Sequence, residues 1–173
     1  MKNPPKITIE NDSPKYDASL EAIYANAFGP GRFTKAAAVL RAGNACIYGL
    51  SRVVFAETND GEKLIGGCRL WPIIDAQDNK AIFLGPIAID GEYQGLGLGA
   101  QLMHEVLAAC DASGQKLIML VGDMSFFGQF GFEIVPENQV SLPLPVARNR
   151  LLRRKIGGDV VFNGRVSAPL ATT

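Results

Sequence analysis

The chain has 173 residues, 47% of them hydrophobic and 20% charged, and its 17 basic side chains balance 17 acidic ones. One domain of that length can bury a full core, and a zero net charge gives no global field to draw nucleic acid or anionic lipid. No apolar run reaches the roughly 18 residues that cross a bilayer, and the polar first residues carry no secretory h-region, so a cytoplasmic protein is expected.

Cys46, Cys68 and Cys110 are odd in number and lack metal-ligand spacing. They read as buried or idle thiols in a reducing compartment, with no metal site.

In chain order, Lys6-Ile7-Thr8-Ile9-Glu10 alternates like a half-buried strand. Residues 16–28 predict a helix with Leu20, Ile23, Tyr24 and Phe28 on one side, stopped by Gly29-Pro30-Gly31. A short helix over about 34–42 follows, ended by Gly43-Asn44. Residues 53–57 and 64–74 predict strands joined across Asn59-Asp60-Gly61, a strong hairpin signal. A turn at 75–79 leads into an apolar strand over 81–90, bounded by Asp90-Gly91.

Leu98, Leu102, Met103, Val106, Leu107 and Cys110 recur at helical spacing and predict a helix over about 96–112. A strand at 116–121, a short helix and a strand at 131–135 complete the pattern. The resulting β-α-α-β-β-β-α-β-α-β order is α/β with a mixed sheet. The tail from Pro136 offers only Asp159-Val160-Val161-Phe162 as a further strand, and forty residues struggle to build their own core. Residues 1–173 are therefore expected to form a single domain that includes the segment 136–173. The basic cluster Arg148, Arg150, Arg153, Arg154 and Lys155 reads as a solvated helix or loop, since no aromatics interleave it.

The richest stretch is Gln94-Gly95-Leu96-Gly97-Leu98-Gly99-Ala100, between the 81–90 strand and the long helix. A glycine turn there gathers backbone N–H groups in front of the positive end of a helix, a device that holds phosphate. A pyrophosphate-bearing cofactor is implied. The P-loop is excluded because Ala100-Gln101 follows Gly99 where Lys-Ser/Thr is required. The dinucleotide pattern G-x-G-x-x-G/A is formally met by Gly95, Gly97 and Ala100. Yet Lys116-Leu117-Ile118-Met119-Leu120 lacks the acidic residue expected about 20 positions on. A nucleotide-dependent oxidoreductase stays as a minor competitor.

The pattern Q/R-x-x-G-x-G/A is met in register by Gln94, Gly97 and Gly99. On this run, preceded by Leu84-Gly85-Pro86-Ile87-Ala88-Ile89-Asp90, the chain resembles the GNAT superfamily of acyl-CoA-dependent N-acyltransferases. Residues 121–132 are similar to the G-D-x-x-Y-Y-x-x-F-G-F segment of one bacterial branch, and residues 27–33 and 69–72 look like the same branch. The resemblance spans about 15–135, with the cofactor core at about 80–135. It implies a mostly antiparallel twisted sheet flanked by helices, whose central strands splay at Gly85-Pro86. Proline donates no ladder bond, so Pro86 independently marks an edge or a bulge.

The resemblance further implies acetyl-CoA as cofactor. Its pantetheine would pair like a strand with Ile87, Ala88 and Ile89, and its pyrophosphate would lie over Gln94, Gly95, Leu96, Gly97, Leu98 and Gly99, with Ala100 and Phe127 also counted among the cofactor-binding residues. The side chains of Ile87 and Ile89 belong to the core in either reading. The expected reaction is direct attack of a primary amine on the thioester in a ternary complex. It needs a neutral amine and a donor for the developing oxyanion, the latter a backbone N–H near Ile87.

The family's usual general acid, a tyrosine, is replaced by Phe127, which has no proton to give. Asp123 and Ser125 are the substitutes at hand, although Asp123 also fits a helix N-cap and Ser125 a first helical turn. Glu57 and Asp75 are remote bases or surface groups. Tyr24, Arg32, Arg69 and Trp71 are placed on the acceptor side. Tyr24 also fits the core, as does Trp71, and Arg69 also fits a surface ion pair. The acceptor is expected to be a small-molecule or peptide amine, with exposed sheet edges open to homodimer pairing. The competing function is a catalytically quiet acyl-CoA-binding or sensor module, suggested by Phe127.

Overall fold

The computed structural model describes residues 3–29 and 35–170. Hydrophobic alternation and turn chemistry set out nine strands and four α-helices among them. These are β1 (Ile7–Asn11), α1 (Asp17–Phe28), α2 (Ala36–Arg41), β2 (Arg52–Thr58), β3 (Gly61–Ile74), β4 (Lys80–Ile89) and α3 (Leu98–Ala112). They continue as β5 (Leu117–Val121), α4 (Met124–Phe127), β6 (Glu133–Ile134), β7 (Val140–Ser141), β8 (Leu151–Lys155) and β9 (Gly164–Arg165). Seven strands form one sheet in the order β1-β2-β3-β4-β5-β8-β6, and β7 pairs with β9 in a separate two-stranded ribbon. Every neighbour in the large sheet is antiparallel except β4 and β5, which run parallel.

Period-two alternation sends the side chains of β2 to both faces. Val54 and Ala56 pack with the α3 stripe of Leu98, Leu102, Met103, Val106, Leu107 and Cys110. Val53 and Phe55 pack instead with Leu20 and Tyr24 of α1. Helices α1 and α3 therefore cover opposite faces of the sheet. On the α1 face a second cluster gathers Leu40 of α2, Phe83, Met119 and Phe162. Gly67 lets α1 ride close to β3: a Cβ there would lie 2.7 Å from Leu20 Cδ2 and 3.0 Å from Arg52 O.

Several expectations change at the C-terminal end. The arginine-rich run expected as a solvated helix or loop is β8, inserted between β5 and β6. Leu152 is fully buried, while Arg153 pairs with Glu133 at 2.9 Å and Arg154 with Asp111 at 3.1 Å. Charged heads thus find partners at the rim while their stems cover the sheet. Residues 159–162 form no strand. Phe162 is buried at 1% exposure, and the next amide, Asn163 N, donates to Asp75 Oδ2 at 2.8 Å. Asp75 itself is buried, not a surface group, and also accepts from Gln77 N, Asn79 N and Asn79 Nδ2.

Candidate active site

The β4–β5 ladder is short. Ile82 pairs with Ile118 and Phe83 with Met119, and there the pairing stops. On its other side β4 stays paired with β3 throughout, but with a slip: Leu84 faces Leu70 and Ile87 faces Cys68. Gly85 and Pro86 therefore bulge opposite Arg69, as the proline signal predicted. Gly85 holds φ +135°, a conformation open to glycine. Its carbonyl accepts a hydrogen bond from Trp71 Nε1 at 2.6 Å, so the indole of β3 pins the bulge.

Beyond the bulge, the direction of the backbone amides follows from alternation. Asp90 N donates to Ile65 O of β3 at 2.6 Å. Ala88 shares that side, so the N–H and C=O groups of Ile87 and Ile89 face the gap left by β5.

The gap opens into a cleft of about 1400 Å³. Its walls include β4 from Phe83 to Ile89, Gln94, Gly95, Gly97, Leu98, Gly99 and Ala100, and Asp123, Phe126 and Phe127 beside β5. On the α1 face it is bounded by Tyr24, Phe28, residues 36–38 of α2, Arg69, Trp71 and residues 145–147.

At the cleft's glycine end, Gly95 has φ +81° and Gly97 φ +75°, and a Cβ at either would meet nothing within 4 Å. Gln101 N donates to Gly97 O at 3.2 Å, but the amides of residues 95–100 have no hydrogen-bond partner among the described residues. These donors stand in front of the N-terminus of α3, whose dipole adds positive potential.

The structure brings together most of the residues singled out from the sequence. Ile87, Ala88, Ile89, Gln94, Gly95, Gly97, Leu98, Gly99, Ala100, Phe127, Asp123, Tyr24, Arg69 and Trp71 all line the cleft. Leu96 and Ser125 do not: both are exposed and absent from the wall. Ser125 stands two residues, about 200° of helical rotation, from Phe127, which takes it to the other side of α4. Arg32 lies outside the described residues.

Asp123 occupies the N-cap position of α4, but its side chain caps nothing and instead meets Arg150 Nη1 at 3.2 Å. Phe127 is 8% exposed, with its ring 4.9 Å from Phe126 and 6.0 Å from Phe132. Arg69 is not in a surface ion pair. The residue is 5% exposed, and its guanidinium is held by buried Asp12 (Nε to Oδ2, 2.8 Å) and by Asp17. Burial opposes its charge, but the hydrogen bonds from these carboxylates outweigh that and keep it firmly protonated. Burial is also the main reason the thiols of Cys46 and Cys68 ionise above their ordinary range.

The model of the acetyltransferase (GNAT) family matches residues 18–132. The chain belongs to that family. Among relatives of this GNAT protein is the uncharacterized N-acetyltransferase YhbS of Escherichia coli K12, 25% identical over 105 residues. That match covers 60% of this chain and 63% of YhbS. Among solved structures, YhbS from Escherichia coli in complex with CoA superposes with a TM-score of 0.76 at 20% identity, covering 98% of this chain and 93% of that one. A GNAT family acetyltransferase from Brucella melitensis in complex with acetyl-CoA gives 0.65 at 20% identity, with 95% and 96% covered. Both likenesses establish the fold.

Proposed function

We propose that the protein is an N-acetyltransferase that moves the acetyl group of acetyl-CoA to a primary amine by direct attack in a ternary complex. The observation that carries this reading is the open edge of β4. Its unpaired N–H and C=O groups at Ile87 and Ile89 end beside the unpartnered amides of residues 95–100. An extended chain with two amides and a diphosphate at one end matches both halves of that surface.

Acetyl-CoA is here a substrate, consumed at each turnover. Residues 95–100 hold its diphosphate through main-chain N–H groups, and the absence of a Cβ at Gly95 and Gly97 permits close approach. Ile87 and Ile89 pair with the pantetheine amides, and the Ile87 N–H donates to the carbonyl oxygen as charge develops on it. Phe126, Phe127 and Leu84 keep water away from the thioester. Phe127 supplies no proton, so a thiolate leaving group with a pKa near 8.5 departs unassisted. The raised thiols of Cys46 and Cys68 argue against an acyl-enzyme route. Residues 136–173 work within the same domain, since β8 joins the main sheet and residues 145–147 complete the cleft. The acceptor is a small-molecule or peptide amine entering from the α1–α2 face.

Titration calorimetry with CoA, followed by a free-thiol assay of acetyl-CoA against a panel of amines, tests the reading. One CoA per chain and amine-dependent thiol release are expected; no affinity for CoA overturns it. Phe127 favours a second reading, an acyl-CoA sensor, which predicts tight CoA binding with no amine releasing thiol.

A further inference from the structure

Tyr24 carries a feature that the chemistry above leaves unused. The residue is 1% exposed, and its hydroxyl is buried without a hydrogen-bond partner among the described residues. Native folds rarely leave such a group unpaired, because burying it forfeits its bonds to water. A partner that arrives from outside the fold explains the arrangement.

The location narrows what that partner is. Tyr24 packs against Ala88 of β4 in the α1-face cluster and lines the cleft. Cys68 and Arg69 of β3 are its main electrostatic neighbours, and Cys68 sits directly opposite Ile87. The side chain thus lies against the stretch where β4 parts from β5. Arg69 does not take the hydroxyl, being engaged with Asp12 and Asp17. Burial, reinforced by Cys68 and Asp12 against the opposing charge of Arg69, raises the phenol's pKa well above 10. Tyr24 is therefore a donor and not a base.

We propose that the Tyr24 hydroxyl donates a hydrogen bond to the thioester carbonyl oxygen, as a second donor beside the Ile87 N–H. The proposal rests on the acetyltransferase reading. As the amine nitrogen bonds to the carbonyl carbon, the C=O electron pair moves onto oxygen, where Tyr24 and Ile87 share the charge. The pair returns as the C–S bond breaks, and the proton lost by the amine ends, through solvent, on the CoA sulfur. Tyr24 keeps its own proton throughout. Phe127, on the α3 face, occupies the usual tyrosine position, so this hydroxyl comes from a different element and the other side of the sheet.

The test uses the full chain, wild type and Tyr24→Phe, with two probes: CoA and an unreactive acetyl-CoA analogue in which methylene replaces the thioester sulfur. Expected in the variant are an unchanged CoA affinity, an analogue affinity about tenfold weaker, and a kcat at least tenfold lower. Its Tm is unchanged or higher, since only an unpaired hydroxyl is removed. Infrared spectra of the bound, carbonyl-labelled analogue give a second readout: the C=O stretch lies lower in the wild type than in Tyr24→Phe. Equal analogue affinities, equal stretches, or a matching loss for CoA and analogue overturn the proposal. A wild type that binds neither probe fails the acetyltransferase reading itself, whereas one that binds both and is indifferent to Tyr24→Phe fails only the hydrogen bond.

Discussion

Gly97 holds φ +75° just before α3, with open space where a side chain would begin. Gly97→Asp puts a carboxylate among the unpartnered amides and in a backbone region that costs a non-glycine residue about 1–2 kcal/mol. The fold tolerates that, because no neighbour is struck. The variant is expected to lose CoA affinity at least about tenfold while its Tm falls by only about 2–8 °C, read by calorimetry and a thermal melt. The glycine pattern was legible because it fixes main-chain conformation, which chain spacing reports directly. Ser125 misled for the complementary reason: nearness to Phe127 in sequence says nothing about helical phase. The Arg69 interaction joins residues 57 positions apart, so no local pattern announced that Asp12 would bury it.

The β4 bulge is the element on which the cleft depends, and Trp71 Nε1 is bonded to its Gly85 carbonyl. Trp71→Phe keeps an aromatic ring but removes that donor, worth about 1 kcal/mol. The expected result is a kcat/KM for acetyl-CoA lower by about fivefold to tenfold, with a Tm loss of about 2–4 °C, measured by steady-state kinetics and calorimetric melting. Proline inside an otherwise apolar strand revealed this bulge from sequence alone. The apolar face of α3 was equally legible, since all six residues of its predicted stripe are buried. Strand β8 was not, because its arginines hid a Leu151-Leu152 pair whose burial is decided by β5 and β6. Charge content misleads where guanidinium heads reach partners at a sheet's rim.

At the scale of the molecule, Asp75 ties the turn after β3 to the chain's return from Phe162. Burial tends to raise its pKa, but hydrogen bonds from the Asn79 side chain and from the amides of Asn163, Asn79 and Gln77 prevail and hold it below the ordinary carboxylate value. A depressed folded pKa contributes stability that is complete above about pH 4, the unfolded value. That contribution fades as pH falls through the folded pKa. Asp75→Asn is expected to cost about 2 kcal/mol at neutral pH and to flatten the loss of stability below pH 4, read from urea melts at a series of pH values. Asp75 looked like a turn residue at the surface because its closest backbone donor comes from 88 positions away.

The brevity of the β4–β5 ladder has a mechanical consequence. Two residue pairs stitch an N-terminal raft of strands, β1 to β4, to a C-terminal raft of β5, β8 and β6. On the proposed function, an extended guest bonded along the facing bank of β4 would splint that seam and stabilise the loaded protein. On the same reading, departure of the spent guest removes that splint and leaves the seam to its two residue pairs and the packed helices.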